Sequence, residues 1–111
     1  MPYAKRPVKN HTKVYCNALG YDVDDETEFR PCELTGNRSN DIHHIIARGK
    51  GGEDRIENLM ALTRQKHADY GDKVVLIPTL LLEHKSFLDQ RGIEYDQQWF
   101  DEKLRYYINK S

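Results

Sequence analysis

The chain is 111 residues long and has only two cysteines, Cys16 and Cys32. That is too few for the disulfide framework of a small secreted domain, and a reducing cytoplasm is the expected setting. Long apolar runs are also missing. The best stretch, Val74 to Leu82, is interrupted by Pro78 and falls far short of the ~20 residues a membrane-spanning helix requires. The N-terminal Met1-Pro-Tyr-Ala-Lys-Arg-Pro is basic, but no apolar segment follows it, so a secretory signal is not expected. There is no internal repeat and no low-complexity segment. Excess charge is lacking too: the formal net charge is −1, which does not advertise nucleic-acid binding.

The length suits one domain with one modest core. Charge is unevenly spread. Lys5, Arg6, Lys9 and Lys13 open the chain without an acid among them, whereas Asp22, Asp24, Asp25, Glu26 and Glu28 follow without a base. Residues 1–10 read as a flexible basic arm, and 11–111 as one domain. A short helix is expected over His11 to Leu19, stopped by Gly20. Phe29 to Leu34 and Asp41 to Ile46 flank the turn-rich Thr35-Gly-Asn-Arg-Ser-Asn, which predicts a β-hairpin. A glycine loop runs from Arg48 to Asp54. Thr63 can cap a helix ending at Gly71. Two further helices are expected across about 78–110, one from Pro78 or Thr79 to Gly92 and one after Asp96. In the second, Phe100, Leu104, Tyr107 and Ile108 form a stripe edged by Trp99 and meant for the core.

Chemistry concentrates in the middle of the chain. Hydrolysis of a phosphodiester needs a base that titrates near neutral pH, for which histidine is suited. It also benefits from a divalent cation where negative charge grows. His43 and His44 stand side by side on an expected strand, and His67 on an expected helix. Neighbouring strand residues face opposite sides, so a regular strand cannot aim both His43 and His44 at one ion. One can be a ligand while the other serves a separate task.

Asp41-Ile-His43-His44-Ile-Ile, Gly51-Gly52, Asn58-Leu59 and Leu62-Thr-Arg-Gln-Lys-His67, in that order, resemble the HNH nuclease motif, also called the ββα-metal motif. The distances from His44 to Asn58 and from Asn58 to His67 resemble those in the HNH domain of RNA-guided DNA nucleases. The resemblance covers about residues 30–71. It implies an α+β fold: a ββα-metal core of a β-hairpin and a helix, with flanking helices added. It also implies a metal-dependent endonuclease that leaves 5′-phosphate and 3′-hydroxyl ends on DNA, with RNA still open as a substrate. By the same resemblance His44 is the general base and Asn58 the structural asparagine that orients it. His43 and His67 are the ligands of one divalent cation, which could be Mg, Mn, Ni, Co or Zn. Imidazole favours the transition metals among these.

Asp41 lies two residues before His43 and is a candidate outer partner for a ligand imidazole or the cation. Arg48 is the candidate phosphate ligand. His11 and His84 read as surface or satisfied core residues. Many relatives carry a structural zinc held by cysteines at positions equivalent to 32, 35, 63 and 66. Here those positions are Cys32, Thr35, Thr63 and Lys66, so no structural zinc is expected and Cys32 should be a small buried apolar residue. Small stand-alone proteins of this family resemble genes of phages and other mobile elements. The competing reading is a non-catalytic nucleic-acid-binding module that keeps the ββα shape. A protein partner stays open, and no membrane partner is expected.

Overall fold

The computed structural model describes residues 7–71 and 73–110. Most of the expected basic arm, residues 1–6, lies outside the described residues, and its last residue, Asn10, opens the first helix. The elements run α1 (Asn10–Leu19), β1 (Asp41–His44), β2 (Leu59–Leu62), α2 (Arg64–Tyr70), α3 (Ile77–Gln90) and α4 (Gln97–Ile108), with short 3-10 turns at 48–50, 56–58 and 74–76. This is the expected α+β layout, in which β1, β2 and α2 form the ββα unit. No described helix is long and apolar enough to cross a membrane.

The strand pairing departs from expectation. β1 pairs antiparallel with β2, with Asp41 opposite Leu62, His43 opposite Met60 and His44 opposite Leu59. The segment Phe29 to Leu34, expected as the partner, makes only an isolated bridge between Pro31 and Arg38. Proline has no N–H to give to a ladder. After it the chain folds on itself: Cys32 N donates to Asn37 O at 2.6 Å and Gly36 N to Cys32 O at 2.9 Å. β2 is the run Leu-Met-Ala-Leu, buried at every position, and it lacks a polar alternation because both faces are covered. Leu59 and Ala61 pack with Tyr15 of α1. Met60 and Leu62 pack with Leu80, Leu81 and Leu88 of α3 and Phe100 of α4.

Caps define the helix starts. Thr63 accepts from Lys66 N at 3.2 Å, and Asp96 accepts from Trp99 N at 3.2 Å; such caps contribute about 1 kcal/mol each. α1 ends at Gly20 in the left-handed conformation, φ 77°. In α4 the stripe holds at Trp99, Phe100 and Tyr107, which are buried, but Ile108, the last residue of the helix, is exposed.

One polar cluster is sunk into this core. The Glu33 side chain is fully buried beside that of His84. His84 Nδ1 lies 2.5 Å from Glu33 Oε1, and its Nε2 lies 2.6 Å from Ile56 O. Nε2 donates to the Ile56 carbonyl, and Nδ1 shares a hydrogen bond with the Glu33 carboxyl, so both ring nitrogens are satisfied. Tyr15 Oη donates to Glu33 Oε2 at 2.6 Å, and burial together with Glu33 pushes the Tyr15 phenol well above its ordinary range. His84 is thus a satisfied core histidine. It joins α3 to the segment before β1 and to the turn before β2, while Tyr15 ties α1 to the same carboxylate.

Candidate active site and metal centre

The alternation of β1 sorts its polar residues into two groups. On the face of Met60 and Leu62, His43 packs against His67 of α2, their rings tilted by 59° with centroids 4.7 Å apart. Asp41, on the same face, reaches His67: its Oδ2 lies 3.0 Å from His67 Nδ1, and Arg64 donates to its Oδ1 at 3.2 Å. Partial burial would raise the Asp41 carboxyl, but hydrogen bonds from His67 and Arg64 outweigh it and hold it below the usual carboxylate range. An ionised Asp41 accepts from His67 Nδ1–H, which leaves Nε2 as the lone-pair nitrogen of His67. Two imidazoles of this kind, one oriented by a carboxylate, fit a divalent cation with positions left for water and phosphate.

His44 takes the opposite side. Its Nε2 lies 2.7 Å from Asp54 Oδ1. Arg48 Nε lies 3.4 Å from the same nitrogen, which cannot accept from Arg48 while donating to Asp54, and the shorter, carboxylate bond governs. Neutral His44 then carries its proton on Nε2 and its lone pair on Nδ1. Asn10 Nδ2 donates to the other Asp54 oxygen at 3.0 Å. The hydrogen bonds from Asn10 and His44 hold the Asp54 carboxyl down at about 2. His11 of α1 sits edge-on to His44 with centroids 4.7 Å apart and receives Arg48 at 3.1 Å on Nδ1. Partial burial, then the nearby His44 and Arg48, lowers the His11 pKa. The two groups meet at the end of β1, where His43, His44, His11, Ala47 and Arg48 line one open groove.

Asn58 stands behind this groove, wholly buried. Its Oδ1 accepts from Ile46 N at 2.8 Å, and its Nδ2 donates to Ile46 O at 3.1 Å and Glu53 O at 3.0 Å. It therefore clasps both ends of the loop that leaves β1 just after His44. Gly52 is required in that loop: a Cβ there would lie 1.7 Å from Ile46 O.

Of the residues singled out from sequence, His43, His67 and Asp41 come together, His44 and Arg48 come together, and Asn58 braces both through the loop. His11 and Asp54 were missed. His11 belongs to α1, outside the motif, and a lone helical histidine gives no local signal. Asp54 closes the glycine loop and looks like an ordinary turn acid, although its position ten residues after His44 was there to be weighed. At the positions of the missing zinc cysteines, Cys32 is buried. Burial opposes ionisation of its thiol, but hydrogen bonding from the Thr35 hydroxyl and from the backbone of Thr63, Leu34 and Thr35 outweighs it and sets the thiol below its ordinary range.

A two-stranded sheet with a helix laid beside it, and histidines gathered where strand, loop and helix meet, defines a domain of the ββα-metal type. Residues 30–73 match the family model of the HNH endonucleases, and this stretch spans β1, β2 and α2 with every motif residue named above. No curated protein and no solved structure matches the chain. That family is one of nucleases.

Proposed function

We propose that the chain is a metal-dependent endonuclease that hydrolyses DNA phosphodiesters and leaves 5′-phosphate and 3′-hydroxyl ends. His44 acts as general base, and His43 and His67 hold one divalent cation. The observation that carries this reading is the division of labour along β1: His43 lies against His67, whereas His44 turns away from that pair yet borders the same groove. Asp54 fixes the His44 tautomer, so a single ring nitrogen keeps a lone pair for the proton of the attacking water. As that proton moves to His44, the water oxygen bonds to phosphorus and the bond to the 3′ oxygen breaks. Asn58 keeps the imidazole in place by anchoring the loop behind it. Arg48, on that loop, contacts a phosphate oxygen. The cation, when bound, stabilises the charge on the phosphate and on the departing oxygen.

The test is cleavage of supercoiled plasmid by the full chain with Mg²⁺, Mn²⁺, Ni²⁺, Co²⁺, Zn²⁺ or EDTA, with His44→Ala in parallel. Cleavage is expected with at least one ion and not with EDTA, and His44→Ala is expected to lose a factor of roughly 10²–10⁴. Cleavage by His44→Ala near the wild-type rate overturns the assignment. A wild-type chain that binds plasmid but cuts with none of these ions is a binding module instead.

A further inference from the structure

Three potential ligands from three elements converge beside the groove. His11 comes from α1, His44 from the end of β1 and Asp54 from the loop, and one ligand atom of each lies within 4.8 Å of the other two. A cation already lies among them. The Arg48 guanidinium is 3.1 Å from His11 Nδ1, 3.5 Å from Asp54 Oδ1 and 3.4 Å from His44 Nε2. Asn10 holds the second Asp54 oxygen, which presents the first one to the cluster. The Arg48 side chain is 60% exposed, so it can withdraw into water.

We propose that His11, His44 and Asp54 form a second divalent-cation site, which takes a zinc-class ion in place of the Arg48 guanidinium and silences cleavage. The silencing rests on the reading of His44 as general base; the site itself does not. Two imidazoles and one carboxylate, with a fourth position open to water, are a zinc ligand set, whereas Mg²⁺ and Ca²⁺ prefer all-oxygen surroundings. Bonds of about 2.0–2.2 Å put tetrahedral ligands roughly 3.3 Å apart. The 2.7 Å contact between His44 and Asp54 therefore opens slightly, and the His11 side closes. The alternation of β1 keeps this site separate from the His43–His67 pair.

The inhibition follows from proton accounting. A neutral imidazole has one N–H and one lone pair. An ion on Nε2 takes the lone pair there, so the ring proton resides on Nδ1 and Asp54 changes from hydrogen-bond acceptor to ligand. No proton is gained or lost overall, and His44 keeps no lone pair with which to accept one from water. The base is removed without any change at His43 or His67.

Calorimetric titration of the full chain with Zn²⁺ alone tests the site. The double variant His43→Ala/His67→Ala is expected to retain one zinc site. Adding His11→Ala or Asp54→Asn to that background should weaken it at least roughly tenfold, since even outer partners of metal ligands cost 10–100-fold. Adding Arg48→Ala should tighten it, because the competing cation is gone. Alanine is the best helix former, so α1 should survive His11→Ala, as far-UV circular dichroism will check.

Plasmid cleavage supported by Mn²⁺ tests the silencing, each variant being normalised to its own rate without zinc. Zinc should inhibit wild type, and His11→Ala should need at least roughly tenfold more. The site is overturned if the double variant binds no zinc or if its zinc affinity ignores His11→Ala. The silencing is overturned if zinc inhibits His11→Ala and wild type at equal concentrations. If wild type cuts with no metal, the reading of His44 as base fails, and the titrations alone still decide the site.

Discussion

At the scale of single residues, the position most dependent on its surroundings is Asn58. It has no contact with the groove, yet its amide satisfies three backbone groups at the root of the loop. Asn58→Ala leaves the Ile46 N–H and two carbonyls short of partners inside the core. The expected cost is about 3 kcal/mol, given ~1–3 kcal/mol for each orphaned buried group. Urea denaturation should show a lower midpoint with an unchanged slope, and cleavage should fall along with it. The sequence announced Asn58, as it announced His43, His44 and His67, because each sits in a motif where its neighbours disambiguate it. It did not announce His11, Asp54 or the burial of Glu33. Those depend on which distant elements become neighbours, and no local pattern encodes that.

At the scale of elements, the C-terminal helix is attached to the core by a buried acid. Glu57 lies in the turn before β2. Its Oε1 receives Arg55 Nε at 2.8 Å, and its Oε2 receives Asp96 N, at the cap of α4, at 2.8 Å. Burial would raise its carboxyl, but these hydrogen bonds prevail and its pKa is lowered. A lowered folded-state pKa means that the unfolded chain binds the proton more tightly. The stabilisation is therefore complete above the ordinary glutamate value of about 4.3 and is lost as pH falls through the lower folded value. Thermal melts from pH 6 down to pH 3 should show wild type losing stability below about pH 4.3 more steeply than Glu57→Gln.

The helices themselves were legible, since Thr63, Asp96, Gly20 and Gly71 mark their ends. The strand partner of β1 was not. A turn-rich Thr35 to Asn40 segment promised a local hairpin, but Pro31 cannot sustain a ladder and the wholly apolar Leu59 to Leu62 run offered a better-buried edge. Two strands joined by fourteen intervening residues leave no hairpin signature. Apolar run and motif had to be read together to see that the glycine loop is the connection between them.

At the scale of the molecule, positions 32, 35, 63 and 66 are Cys32, Thr35, Thr63 and Lys66, and apolar packing and the Glu33 network are in a position to support the same region. Metal removal should therefore separate activity from folding. With EDTA the cooperative thermal transition should remain within a few degrees of its position in buffer, while cleavage stops. Loss of the transition would mean that metal binding free energy is folding free energy here.

The Glu33 carboxylate bears on modularity. The family match runs from 30 to 73, but two partners of Glu33, Tyr15 and His84, lie on either side of that stretch. A segment excised at the match boundaries would keep the acid and lose the phenol and the imidazole that satisfy it. Each buried polar group left without a partner costs about 1–3 kcal/mol, a large part of the stability of a small domain. The excised 30–73 peptide should accordingly be unfolded by circular dichroism and amide proton dispersion, whereas a 7–110 fragment should fold. The stretch that matches the family is thus not a portable one: transplanted into another protein it would have to bring α1 and α3 along, or find new partners for its buried acid.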